Sequence, residues 1–349
     1  MVEVRTFEGD AAEASRFTNR VWQASYGGKV PLALWDERYF DWLLFGNRHA
    51  GTDFLLGAYL NGKLVGTLFA ERTRIRLGEG EVDGTFASWA SVDTSHRGLG
   101  IGRKLAAELL HRHRERGARL ALGCVAHGSE GAGFWGKNQQ TRFMDEMGLW
   151  IHVFEPEAMT RWSFHRSERA FFRLLRPFQR HSYRAATKEG IRLYRPTDLP
   201  QCTALIQHVM KPVTFGYAYT TERLAHQLQY RDMPRTFVLE RDGVIQGLVN
   251  YYTLQLRARE TRSMGVVDLM AFKDGVSPSE QRRLLQVTMQ DMEQQGVSTA
   301  AMLRLAGGPS KVMWRSGWLP WLSGGRVACL LPTSDVVLPA SPRVFTHLR

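Results

Sequence analysis

The residues of this chain best suited to chemistry are Ser91-Val-Asp-Thr-Ser-His-Arg-Gly-Leu-Gly-Ile-Gly-Arg-Lys104. Glycines at 98, 100 and 102, separated by Leu99 and Ile101, allow a tight turn whose successive backbone N–H groups can converge on one point. If that turn opens a helix, the positive end of the helix dipole faces the same point, and Arg97, Arg103 and Lys104 add charge there. Such a cradle suits a pyrophosphate. The spacing R-G-x-G-x-G is neither the G-x-G-x-x-G of a dinucleotide site, with an acidic residue about 20 positions on, nor a phosphate-loop ATPase sequence ending in GK[ST].

The surrounding pattern supplies the strand and helix that the turn requires. A β-rich run over Val82 to Val92 leads into it, a helical pattern from Ile101 to about Arg116 leaves it, and a second strand pattern follows at Leu120 to Ala126. Upstream lie a strand at Val2 to Phe7, a helix over Asp10 to Gln23 and an aromatic-rich helical stretch from Leu32 to Phe45. Next come β-rich runs at Asp53 to Tyr59 and Lys63 to Arg74, joined by the hairpin signal Asn61-Gly62. The second half repeats this order: strand Ile191 to Arg195, a helix after Asp198, strands Arg235 to Glu240 and Val244 to Leu254 around Asp242-Gly243, strand Gly265 to Phe272, a helix from Ser277 to Gln295, and strand Ser298 to Leu303.

With 349 residues, 44 % apolar and 23 % charged, the chain has the size of two domains and the composition of an ordinary folded protein. Cys124, Cys202 and Cys329 are far apart and sit in apolar runs, so neither a disulfide framework nor a metal site is expected. The N-terminus lacks a leader pattern and no run of about 18 apolar residues occurs, which implies a cytoplasmic location. The net charge of +12 implies attraction to an acidic partner without choosing among nucleotide phosphates, carrier protein, nucleic acid and membrane.

The segment V-D-x-x-x-R-G-L-G-I-G-R-K-L closely resembles the acyl-CoA signature of the GNAT (Gcn5-related N-acetyltransferase) superfamily, and the order of elements over residues 1 to 155 is similar to that fold. The resemblance implies an α+β fold of two tandem GNAT-like domains, each with a mixed, mostly antiparallel central sheet flanked by helices. Residues 1–158 would bind acyl-CoA, 159–188 would form a basic amphipathic connector, and 189–349 a degenerate second copy on the acceptor side. It further implies that the pantetheine arm lies between two splayed strands and pairs with Ala90, Ser91 and Val92. The Val92 amide would polarise the thioester carbonyl, and the pyrophosphate would rest on Arg97, Gly98, Leu99, Gly100, Ile101, Gly102 and Arg103. Ser129-Glu-Gly-Ala-Gly-Phe-Trp-Gly-Lys137 resembles the family's N-x-x-A-x-x-F-Y-x-K helix. Ser129 then takes the asparagine position and Trp135 the place of the tyrosine that often protonates the departing thiolate. Asn138 to Met147 reads as an insertion before Gly148-Leu149-Trp150, the counterpart of the family's G-F ending.

Direct attack on a thioester needs a neutral amine, and an alkyl amine with a pKa near 10 is only about one part in a thousand neutral at pH 7. His127, Glu130, Asp93 and Asp83 are the candidate bases near the strand ends, alongside the reading in which none of them acts. The second half lacks the glycine turn, since Lys-Asp-Gly-Val-Ser-Pro-Ser follows its strand at 273–279, whereas Ser310 to Trp318 looks like a shortened last helix. An active copy followed by a degenerate one resembles tandem GNAT proteins such as the N-myristoyltransferases, in which a carboxyl-terminal base would correspond to Arg349. The aromatic stretch Trp35 to Phe45 is either a packed helix or an acyl pocket. The connector, basic from Arg161 to Lys188 and interrupted by Pro177, packs on both domains, docks an acidic acyl carrier protein, or contacts a membrane or nucleic acid. Nucleic acid is an unlikely partner, because no recognisable binding module is present. The expected function is N-acyl transfer from acetyl-CoA or a longer acyl-CoA, without a metal, to an amine of a small molecule or peptide. The alternatives are a carrier-protein-dependent N-acyltransferase that makes a fatty-acylated peptide or amino acid, and a catalytically inactive CoA-binding module.

Overall fold

The computed structural model of the protein describes residues 1–47, 51–175, 183, 186–305 and 308–348. In the first half β1 (Val2–Thr6) leads to α1 (Ala11–Tyr26), whose first turn is capped by the Asp10 carboxylate accepting from the Glu13 N–H. β2 (Leu32–Leu34), α2 (Glu37–Phe40) and a π turn (Asp41–Phe45) follow. The stretch expected as one helix therefore starts as a strand, because Leu32 to Leu34 pair with Gln255 to Arg257 of the second half. β3 (Leu55–Leu60) and β4 (Lys63–Leu77) form the expected hairpin, with Asn61 and Gly62 at φ of 50° and 75° as a primed turn demands. β5 (Gly80–Val92), α3 (Ile101–Arg116), β6 (Leu120–Ala126), α4 (Glu130–Gly136) and β7 (Thr141–Val153) complete the half. The segment Asn138 to Met147, expected as an insertion, is a turn followed from Thr141 by the first part of a continuous strand.

The connector is two helices, α5 (Pro156–Trp162) and α6 (Arg166–Leu175), and its break falls at Ser163 to His165. Pro177 lies outside the described residues. The second half runs β8 (Ile191–Leu193), α7 (Leu199–Met210), β9 (Phe215–Ala218), α8 (Thr221–Leu228), β10 (Arg235–Arg241), β11 (Val244–Arg257), β12 (Thr261–Phe272), α9 (Pro278–Gln294), β13 (Thr299–Arg304), α10 (Ser310–Arg315), β14 (Leu319–Leu330) and β15 (Val344–Phe345). Ser277 caps α9 in a reciprocal box with Glu280.

Among the described residues the strands join into one 15-stranded sheet, in the order β1-β3-β4-β5-β6-β14-β7-β13-β12-β11-β10-β8, with β2, β9 and β15 off that path. Within each half one parallel pair closes over a helix: β5 with β6 over α3, and β12 with β13 over α9. The last strand of each half then crosses over. β14 pairs antiparallel with β6, β7 pairs antiparallel with β13, and β7 and β14 pair with each other at the centre. This is the expected α+β, mostly antiparallel tandem plan, with the two sheets fused by exchanged strands. One sheet face is covered by α3 and α9; the other carries α1, α2, α7 and α8, together with β9 and residues 344–348.

Candidate active site

The glycine turn lies where the sequence puts it. Asp93 ends β5 and caps the short turn Thr94–His96, accepting from the Ser95 N–H and Oγ. Gly98 and Gly100 have φ of 82° and 72°, and Gly100 is the N-cap of α3 with no side-chain cap, so the first amides of the helix face an exposed turn. A Cβ at either glycine would meet nothing within 4 Å, so the requirement is the left-handed backbone rather than space. Gly102 differs: a Cβ there would lie 3.4 Å from the Phe134 ring, so α4 packs on the first turn of α3. Ile101 is buried among Leu105, Leu109 and the β3–β4 side chains, which fixes the helix start, while Leu99, Arg97, Arg103 and Lys104 remain exposed.

β5 and β6 separate beside this turn. Their parallel pairing runs from Gly84 with Leu120 to Ala87 with Gly123 and stops, although β5 continues to Val92 and β6 to Ala126. β6 is held on its other edge by β14 up to Ala126 with Gly325, and β5 by β4 up to Val92 with Gly66. On β5 the opening coincides with a bulge in which Trp89 and Ala90 face the single residue Leu68, and Trp89 has φ of 51°. Such a backbone is rare for a bulky residue and costs on the order of 1–3 kcal/mol. Ring contacts with Trp35, Tyr39 and Phe40 hold it. The Trp89 carbonyl accepts from the hydroxyls of Thr67 and Ser91, and Trp22 of α1 donates to Ser91 Oγ at 2.9 Å. Successive amides of a strand alternate between its edges. Since the Asp93 N–H bonds the Val65 carbonyl on the β4 side, the Val92 N–H is directed toward the edge from which β6 has diverged.

The remaining sequence candidates lie around the rim. Ser129 caps α4, accepting from the Ala132 N–H while its hydroxyl donates to the Ala126 carbonyl. Trp135 is half-buried against the core under α3, edge-on to Phe134. Glu130 is not a lone carboxylate, because Arg97 grips both its oxygens at 2.8 Å and also donates to Ser25 Oγ at 2.6 Å. This clasp joins the end of α1, the glycine turn and the start of α4. The Tyr26 hydroxyl accepts from the Glu130 N–H, and burial raises its pKa. His127 is exposed and meets Glu146 at 2.8 Å, with Arg326 on the same carboxylate. Asp93 is buried and paired with Arg20 at 2.6 Å, and its hydrogen bonds from Ser95 and Arg20 hold it well below the usual carboxylate range. A carboxylate so stabilised does not take up a proton near neutrality. Asp83 pairs with Arg74 beside the start of the β5–β6 pairing, away from the splay. Arg349 lies outside the described residues. The rings of residues 35–45 fill the space between α1 and the sheet, with Tyr39 and Trp42 in tilted contact with Tyr252.

A buried polar cluster on the α1–α8 face was not anticipated from the sequence. The Tyr219 hydroxyl lies 2.7 Å from His347 Nε2, and His347 Nδ1 lies 3.0 Å from Asp268 Oδ1. Gln227 Nε2 donates to Asp268 Oδ2 at 2.7 Å and to Asn250 Oδ1 at 3.1 Å. Next to it, Arg223 of α8 pairs with the buried Glu71 of β4 at 2.7 Å, and the Tyr217 hydroxyl bridges the two. A signal did exist in the sequence: Asp268 is the one charged residue in the apolar run Gly265 to Phe272, and Asn250 interrupts the largely apolar run Gly247 to Leu254. A buried carboxylate in a strand needs a partner, and here the partner comes from the far end of the chain.

A cavity of about 350 Å³ adjoins the glycine turn between α3 and α4, with Ala107, Leu110 and Phe134 in its wall and Arg103, Lys137 and Asn138 at its rim. Residues 16–138 match the model of the Acetyltransferase (GNAT) family. No curated protein matches the chain in sequence. Two crystal structures of Saccharomyces cerevisiae N-myristoyltransferase with bound myristoyl-CoA share the fold. One superposes over 100 % of this chain and 84 % of its own with a TM-score of 0.77 at 12 % identity; the other covers 100 % and 89 % with a TM-score of 0.76 at 13 % identity. Residues 16–138 thus match the GNAT acetyltransferase family, and they are set within a chain that shares the whole-length fold of the yeast N-myristoyltransferase structures.

Proposed function

We propose that the protein is an N-acyltransferase that takes an acyl group from an acyl-CoA and places it on an amine of a peptide or small molecule. The observation that carries this reading is the parting of β5 and β6 after Ala87 and Gly123, directly beside a glycine turn at a helix N-terminus. A pantetheine arm needs an extended slot with free strand-edge groups, and its pyrophosphate needs the amides of residues 97–103. The parted strands and the turn offer both. The Val92 N–H is aimed where the thioester oxygen gathers charge during attack, and one such donor is worth about 10²- to 10³-fold in rate.

The amine approaches from the face of α1 and α8, opposite α3. Its nitrogen bonds to the thioester carbon, the C–S bond breaks, and the sulfur leaves with the coenzyme. By the resemblance of the segment 129–137, Trp135 takes the place of a tyrosine that would protonate the thiolate, and an indole N–H donates a hydrogen bond without giving up its proton. In this reading water protonates the thiolate. Asp93 acts by holding Arg20 and shaping the turn, and Glu130 by holding Arg97. CoA is favoured over a carrier-protein donor by the cavity beside the turn, where the Phe134 ring and the Arg103 and Lys137 charges suit an adenosine phosphate that a carrier lacks.

Mass spectrometry of a peptide mixture incubated with acyl-CoAs from acetyl to myristoyl, the latter being the ligand of the yeast structures, tests the reading. An acyl mass on an amino group supports it. An acyl mass only when the donor is a loaded carrier protein would transfer the reading to the carrier-dependent enzyme.

A further inference from the structure

Acyl transfer leaves a proton on the attacking nitrogen, and the splay itself offers no free base, since Asp93 and Glu130 are both committed to arginines. The cluster on the acceptor face has what is missing. Among the described residues His347 is buried, and its Nδ1–H must donate to Asp268, because a carboxylate can only accept. In the neutral ring Nε2 is then the acceptor, and the Tyr219 hydroxyl donates to it. Asp268 is held in turn by Gln227, whose two N–H bonds leave its Oε1 buried with no hydrogen-bond partner among the described residues. The segment carrying His347 lies against the parted end of β6, where the Cys124 thiol meets the His347 carbonyl at 3.6 Å. The other groups facing the imidazole are the Tyr217 ring, tied through its hydroxyl to Glu71 and Arg223, and the Phe345 ring. All three members are buried, with Tyr219 9 %, Asp268 7 % and His347 1 % exposed, and the Tyr219 hydroxyl is the end of the chain farthest from the carboxylate.

We propose that Tyr219 is a catalytic residue that receives the proton of the acceptor amine and passes its own to His347, with His347 and Asp268 as positioning residues. The inference rests on the acyl-transfer reading above. The acceptor's ammonium proton moves to the Tyr219 oxygen while the Tyr219 proton moves to His347 Nε2. The neutral nitrogen then bonds to the thioester carbon as the carbon–sulfur bond breaks, and its second proton passes to the thiolate through water. The resulting imidazolium is paired with Asp268, as in other hydroxyl–imidazole–carboxylate chains. The reverse shuttle returns a proton through Tyr219 to water, so charge and atoms balance over the cycle.

The experiment follows thiol release from acetyl-CoA to myristoyl-CoA with peptides bearing free α-amino groups, from about pH 6 to about pH 10, for wild type, Tyr219→Phe and His347→Gln. Acyl-CoA affinity is measured in parallel by tryptophan fluorescence. Tyr219→Phe keeps the ring and its packing, so it separates the proton function from folding. We expect both variants to bind acyl-CoA normally and to be slower by about 10²-fold at neutral pH. The deficit should close as the pH rises and the amine loses its proton unaided. A deficit that is equal at every pH, or none at all, overturns the relay while leaving acyl transfer intact. Wild-type protein that releases no thiol with any amine overturns the transferase reading and the relay with it.

Discussion

At Gly100 the backbone is left-handed and the surrounding space is empty, so two substitutions there separate conformation from charge. Gly100→Ala should cost about 1–2 kcal/mol in stability for its φ alone and weaken CoA binding only slightly. Gly100→Glu should add repulsion for the phosphates and weaken binding by more than about 10-fold. Titration calorimetry with CoA and thermal melts distinguish them, and equal losses in affinity would argue against a phosphate at this turn. His113 of α3 gives a pH prediction. It is buried edge-on to Phe54 with Nε2 3.0 Å from Thr85 Oγ1, and burial pushes its pKa down to about 4. The folded value lies below the unfolded value of about 6.5, so between them the unfolded chain binds more protons. The stability from this group is therefore fully present above about pH 6.5 and is lost toward about pH 4, at no more than about 1.4 kcal/mol per pH unit. His113→Gln should flatten the slope in urea unfolding between those limits; an unchanged slope would place the acid sensitivity elsewhere. The glycine turn was legible because its residues are local and chemically distinctive. The Tyr219–His347–Asp268 chain was not, because its members lie more than a hundred positions apart and meet only through the fold.

The elements around the turn were legible wherever one pattern governs a run. α3 keeps its expected limits because Ile101, Leu105 and Leu109 recur at helical spacing and Gly117 ends it in a left-handed cap. The start of β7 was not legible, because its first residues, Thr141 to Glu146, alternate weakly and their order comes from pairing with β14, a strand nearly two hundred residues away. The bulge at Trp89 leaves no mark in the sequence; it depends on three rings from the distant segment 35–40. The clasp of Arg97, Glu130 and Ser25 spans the entrance between the turn and α4, and both charged partners are well exposed. An exposed pair contributes little to stability. Glu130→Gln should therefore change unfolding by less than about 0.5 kcal/mol while freeing Arg97 for the coenzyme phosphates and tightening CoA binding. A large loss of turnover at unchanged affinity would instead make Glu130 the proton acceptor and contradict the role given to it here.

Over the whole molecule the exchange of β7 and β14 ties the halves together, since each half closes its sheet with a strand of the other. The buried Arg223–Glu71 pair and the contact of the Cys124 thiol with the His347 carbonyl add links across the same seam. Unfolding by urea should therefore be a single transition, coincident by far-UV circular dichroism and tryptophan fluorescence. Residues 1–158 expressed alone should lack that cooperative transition, and a fragment that melts on its own would show that the exchange is dispensable. The tandem plan was visible in the repeated order of elements, but the fusion into one sheet was not, because strand partners across halves carry no local signal. The most direct test of the account is thiol release from acyl-CoAs of increasing length, with and without amines, by wild type and by Gly100→Glu. The account predicts amine-dependent release that the glycine substitution abolishes; a wild-type protein that binds no CoA would contradict it.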